Sequence, residues 1–154
     1  MESERPNQLQ AWSYVFVQAL LLVFLLFLDR KIGPQVHRFE ILGRILEWLG
    51  IIGVLVCAAS LRSSLTVVPI PKEDGQLSTT GLYRYVRHPM YSSVIIFALG
   101  IGLNSGSLIK YLLVLFLYLL FYAKSVYEER YLKLKYPGYE DYAKRIPRFI
   151  PFTK

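Results

Sequence analysis

The chain has 154 residues, a formal net charge of +7 from 18 Lys+Arg against 11 Asp+Glu, and 54% apolar or aromatic residues. An aromatic share of 15% excludes a disordered chain, and a single cysteine, Cys57, set inside an apolar run excludes a disulfide scaffold. Two histidines, His37 and His88, are too few and too far apart for an ordinary zinc site, so no metal is expected.

The apolar residues fall in blocks, not at the period of a soluble helix or strand. The first block, Ala11 to Leu28, carries no charge across eighteen residues, enough to cross most of a ~30 Å hydrocarbon layer. The acidic leader, Met1-Glu2-Ser3-Glu4-Arg5, and the lack of a small-x-small site before Asp29-Arg30-Lys31 predict a retained helix in place of a cleaved signal peptide. A second block, Ile45 to Leu61, is interrupted only by Glu47, which the pattern places in the first helical turn. A third, Met90 to Leu103, is short and ends in the turn Asn104-Ser105-Gly106-Ser107. With the fourth, Leu108 to about Val126, it predicts a tight helical hairpin.

The expected fold is therefore all-α: a polytopic membrane helical bundle of about four transmembrane helices, with a hairpin between the third and fourth and a cytosolic C-terminal tail. It forms one integral-membrane domain over residues 1–154, with two spans in 1–64 and the chemistry-bearing region in 65–154. Placing both termini in the cytoplasm puts thirteen Lys/Arg inside and five outside, although the Asp29 to Arg44 loop holds four of those five. The positive charge is thus mainly a topology signal. Because the basic residues flank spans and form no separate domain, no nucleic-acid partner is expected; the bilayer is the expected partner.

Two polar stretches exceed what connectors need. The first runs from Ser78 to Tyr91 and includes Gly81, Tyr83, Arg84 and Arg87-His88-Pro89. Pro89 suits the first turn of the third helix, with His88 near the cap, and a helix start lined by Arg87, His88 and Tyr91 can hold a carboxylate or phosphate. The second begins at Lys124 and carries Glu128-Glu129. Nothing breaks a helix before Pro137-Gly138, so the fourth span is expected to continue two or three turns past the membrane, with Glu128 and Glu129 projecting about 100° apart. The tail from Tyr136 to Phe152 mixes aromatics, bases and prolines. It reads as an interfacial segment anchored by Tyr139, Tyr142, Phe149 and Phe152, or as a lid over a site.

The order Gly81-x-Tyr83-x-x-x-Arg87-His88-Pro89-x-Tyr91, then Glu128-Glu129-x-x-Leu132, Tyr139-x-x-Tyr142 and Pro147-x-x-x-Pro151, resembles the isoprenylcysteine carboxyl methyltransferase and phospholipid methyltransferase superfamily. The likeness covers roughly Leu65 to Phe152. It implies an integral-membrane enzyme that transfers a methyl group from S-adenosylmethionine to a lipid-like or membrane-accessible acceptor. It also implies a cofactor site made of Gln76, Leu77 and Ser78, Tyr83, the run His88, Pro89, Met90 and Tyr91, and Glu128 with Glu129. Arg87 and Lys124 fall on the acceptor side; lysine replaces the arginine expected in the prenylcysteine branch, which leaves the acceptor open among prenylcysteine, a phospholipid amine and a small thiol. The cofactor's charges fit these residue types: Glu128 or Glu129 for the ammonium or ribose hydroxyls, His88 and the helix start for the carboxylate, Tyr83 and Tyr91 for an apolar slot.

The spacing Gly100-x-Gly102-x-x-x-Gly106 has no strand before it and predicts close helix contact, not phosphate binding. Two rival functions follow from the same sequence. One is a small proton-coupled transporter built around Glu47; the other is a non-catalytic scaffold whose tail docks a partner.

Overall fold

A computed structural model describes residues 7–61, 68–71 and 75–151. Among them the chain forms α1 (Gln8–Phe27), α2 (Glu40–Leu61), a 3-10 turn (Gly81–Arg84), α3 (Pro89–Ser105), α4 (Leu108–Lys135) and a short α5 (Tyr139–Arg145). The only β pairing among the described residues is an isolated bridge between Gln35 and Ser107.

Helices α1, α2 and α4 are long and apolar enough to cross a membrane; α3, with 17 residues, is apolar and shorter. The outward faces are apolar: Phe16 is 65% exposed and Trp48 66%, a surface suited to lipid and costly in water. The 28 residues of α4 extend ~42 Å, more than the hydrocarbon thickness, so its charged last turns project beyond it. Inside, Leu25, Ala98, Val114, Leu117 and Phe121 form one apolar core, joined from the tail by Phe149.

Small residues let α3 sit tightly against α2. A Cβ on Gly43 would lie 2.7 Å from the carbonyl oxygen of Gly100, and one on Gly100 would lie 2.6 Å from that of Gly43. The glycine spacing in α3 thus serves helix contact, as its pattern implied. Gly106 ends α3 in the left-handed region (φ 68°), and the connection to α4 tightens to Gly106-Ser107, because Asn104 and Ser105 remain helical.

The loop before α2 closes this end of the bundle. Val36 N–H donates to the Gly106 carbonyl (2.8 Å), Phe39 N–H to Leu103 (3.0 Å) and Leu108 N–H to Pro34 (3.0 Å), pairing backbone groups that helix ends leave open. The position of Glu47 differs from the expectation. An Arg38–Glu40 ion pair at 2.8 Å stands where α2 begins, five residues before the apolar block, so Glu47 lies two turns inside the helix and not in its first turn. Its carboxylate accepts a hydrogen bond from Asn104 Nδ2 at 3.2 Å.

Candidate functional site

At the opposite end of the bundle, α3 starts as its sequence dictates, with His88 as N-cap and Pro89 at the first position, where a missing N–H costs nothing. The tail is stitched to this start. Arg87 N–H donates to the Pro147 carbonyl (2.8 Å) and His88 N–H to that of Arg148 (3.0 Å), while Ser92 Oγ donates to the Phe149 carbonyl (2.7 Å).

The glutamate pair of α4 meets this start from across the bundle, and the two carboxylates diverge. Glu129 is buried: Arg87 Nε donates to Oε1 at 3.2 Å, Arg148 grips it with Nε (3.1 Å) and Nη2 (2.8 Å), and His88 Nε2 lies 3.0 Å from Oε1. Burial opposes the Glu129 carboxylate, but hydrogen bonds from His88 and Arg148 and the charge of Arg87 outweigh it and hold the carboxyl down at about 2. Arg87 also donates through Nη1 to the carbonyls of Ala143 and Ile146. Glu128 is more open. It accepts a hydrogen bond from the Tyr91 hydroxyl at 2.8 Å and lies 3.7 Å from His88 Nδ1. The Tyr91 ring is stacked between those of His88 and Phe121, with centroids 5.3 and 4.7 Å away.

A cavity opens beside Glu128. The loop residues Gln76, Leu77 and Ser78 form one wall, Tyr83, His88, Met90 and Tyr91 another, and Arg87 also reaches it. Leu132, Tyr136, Tyr139 and Tyr142 close it from the end of α4 and the tail. Three tyrosines spaced by three residues define that cover. Tyr136 OH donates to the Gly75 carbonyl and Tyr142 OH to the Tyr83 carbonyl, both at 2.6 Å. Between them the buried Tyr139 hydroxyl has no hydrogen-bond partner among the described residues. Burial, reinforced by the Glu129 carboxylate, pushes the Tyr139 phenol well up, so it stands as a neutral donor at pH 7.

Three of the residues singled out from sequence do not line this cavity. Pro89 is buried in the first turn of α3, Glu129 faces the arginines, and Lys124 points toward α1, where Nζ donates to Gln18 Oε1 at 2.7 Å and lies 5.3 Å from the Tyr91 ring centroid. The membrane-anchor reading of the tail is corrected: Tyr139, Tyr142 and Phe149 are buried against the bundle, held by the backbone bonds above, while Phe152 lies outside the described residues. Arg148 and Gln18 were missed. No local pattern marks either, because each acts on a residue in a different helix.

A family model described as phospholipid methyltransferase matches residues 39–138, which take in α2, α3, α4 and the loop with the cavity wall. The chain belongs to the phospholipid methyltransferase family. Relatives of this family member include a protein-S-isoprenylcysteine O-methyltransferase of Schizosaccharomyces pombe, 40% identical over 81 residues that cover 51% of this chain and 34% of the relative. Protein-S-isoprenylcysteine O-methyltransferase B of Arabidopsis thaliana is 34% identical over 119 residues, 73% of this chain and 56% of that one. The cobalt-zinc-cadmium resistance protein CzcN of Cupriavidus metallidurans is 32% identical over 105 residues, 67% of this chain and 48% of the relative. The chain thus spans between about a third and just over half of the length of these relatives. The segment matched by the phospholipid methyltransferase model leaves out α1 and the tail from Tyr139 on, and with them Gln18, Tyr139, Arg148 and Phe149.

Proposed function

We propose that this protein is an integral-membrane methyltransferase that uses S-adenosylmethionine and modifies a lipid-like or membrane-accessible acceptor. The observation that carries the reading is the meeting of Glu128 with His88 and Tyr91, residues from separate family motifs, on one cavity that the 76–78 loop also lines. The cavity's donor set suits the cofactor: a carboxylate for an ammonium or ribose hydroxyls, aromatic and apolar walls for an adenosine, and in Tyr139 a buried hydroxyl that lacks a partner among the described residues.

On this reading Gln76, Leu77, Ser78, Tyr83, Met90 and Tyr91 shape the slot, Glu128 and His88 hold polar cofactor atoms, and Tyr139 donates a hydrogen bond. Glu129 and Pro89 act behind them: Glu129 fixes the His88 ring and two arginines, and Pro89 fixes the helix start. When bound, the cofactor supplies an electrophilic methyl group on a sulfonium. The chain's part is alignment of the acceptor and exclusion of water, which the tail favours by covering the cavity. Lys124 Nζ lies 5.3 Å from the Tyr91 ring centroid and Arg87 borders the cavity, positive charge that suits a carboxylate-bearing acceptor such as a prenylcysteine; such an acceptor needs no general base. On this reading the cavity and both termini face the cytoplasm and four helices cross the bilayer, an arrangement that the charge asymmetry of the loops supports.

Glu47, the residue a transporter would use, is engaged by Asn104 in the other half of the bundle and takes no part in this cavity. The test is transfer of labelled methyl from S-adenosylmethionine by the detergent-purified chain into a panel of prenylcysteine, phospholipid-amine and small-thiol acceptors. Label entering a carboxylate-bearing prenylcysteine is the expected result. Label in none of the three classes contradicts the reading.

A further inference from the structure

A second cleft lies between the tail and α4, and of the described residues only Arg87 borders both it and the first cavity. Its walls carry Arg87, Lys144, Arg145 and Arg148, with Tyr118 and Tyr122 from α4. Among the described residues two carboxylates pair with these four cations: Glu129 with Arg87 and Arg148, and Asp141 with Lys144. Counted over the described residues, the cleft therefore keeps an excess of two positive charges. Its aromatic side is built in, since the Arg148 guanidinium carbon sits 4.9 Å from the Tyr122 ring centroid.

What lies next to the cleft identifies its occupant. Leu112, Leu115, Leu119 and Tyr122 recur at helical spacing on the outward face of α4, all well exposed, and this apolar stripe leads into the basic cleft at Tyr122. An acyl chain would lie along the stripe, with its head at the level where tyrosines mark a membrane interface. Guanidinium groups match phosphate geometry, and basic pockets at a membrane boundary attract anionic headgroups. We propose that this cleft binds the phosphate of an anionic phospholipid, held by Lys144, Arg145 and the outer faces of Arg87 and Arg148. The lipid would brace the two arginines from the side opposite Glu129. It is a separate ligand from the methyl acceptor, and the proposal stands apart from the methyltransferase reading.

The test is calorimetric titration of the full chain in nonionic detergent, with no cofactor added, using dihexanoyl phosphatidylglycerol, dihexanoyl phosphatidylcholine and inorganic phosphate. Phosphatidylglycerol is expected to bind saturably and at least tenfold more tightly than either of the others. A basic residue beside an anionic headgroup contributes about fivefold in affinity. Lys144→Gln should therefore weaken binding about fivefold and the Lys144→Gln/Arg145→Gln pair about twenty-five-fold, with helical circular dichroism unchanged because both side chains are exposed. Arg130→Gln, an exposed charge on α4 outside the cleft, should stay within twofold. Equal binding of phosphatidylcholine, or a double variant that binds like the unaltered chain, overturns the proposal. Phosphate alone binding as tightly as phosphatidylglycerol assigns the cleft to a soluble anion and overturns the lipid. Since no cofactor is present, failure here leaves the methyl-transfer reading intact, and failed methyl transfer leaves this titration standing.

Discussion

Glu129 shows how a single carboxylate can organise a site without lining it. It holds Arg87 and Arg148, contacts His88, and so fixes the start of α3 and the end of the tail together. Replacing it with Gln removes the charge and leaves two partly buried guanidinium groups under-compensated, for a loss of roughly 3 kcal/mol in thermal unfolding in detergent. The pH dependence follows from its lowered carboxyl, which moves from an ordinary value of 4.5 to about 2. Its contribution is fully present above pH 4.5 and is lost as pH falls toward 2, so the gap in Tm between the unaltered chain and Glu129→Gln should narrow over that window. A gap that stays constant from pH 7 to 3 contradicts this assignment. Tyr139 makes the opposite case. Its hydroxyl bonds to no described residue, so Tyr139→Phe should leave Tm unchanged or slightly raised while weakening cofactor binding about threefold to tenfold by titration.

Between helices, the close approach of α2 and α3 positions the site indirectly by fixing the angle at which α3 presents His88. Gly100→Val would drive a side chain into the Gly43 carbonyl, and about 2 kcal/mol of thermal stability should be lost. This contact lies roughly 18 Å along α3 from His88. Cofactor affinity in the surviving folded fraction should change less than twofold. The helices themselves were readable from the sequence because an apolar block without charge has few alternatives to a buried or lipid-facing helix. Their ends were less so: α2 begins five residues before its apolar block because Glu40 and Arg44 are tolerated at a solvent-facing start, where hydropathy gives no signal.

For the molecule as a whole, the tail decides the shape of the site. Its aromatic and basic residues have the composition of an interfacial segment, and that likeness is what local pattern can detect. What places it over the cavity is a set of bonds between residues far apart in sequence: Tyr142 to Tyr83, Arg87 to Ala143 and Ile146, Ser92 to Phe149. Such contacts leave no periodic trace. The motif residues around His88 and Glu128 could be named from order and spacing, yet their division of labour could not, since Glu128 and Glu129 differ only in which way a helix turns them.

The central proposal is that the α3 start and the last turns of α4 form one binding site for S-adenosylmethionine. Its most direct test is calorimetric titration of the cofactor into the purified full chain and into Glu128→Ala, with Arg38→Ala at the far end of the bundle as control. The account predicts saturable binding to the unaltered chain and to Arg38→Ala, weakened at least tenfold in Glu128→Ala. Superimposable binding curves for all three proteins would contradict it.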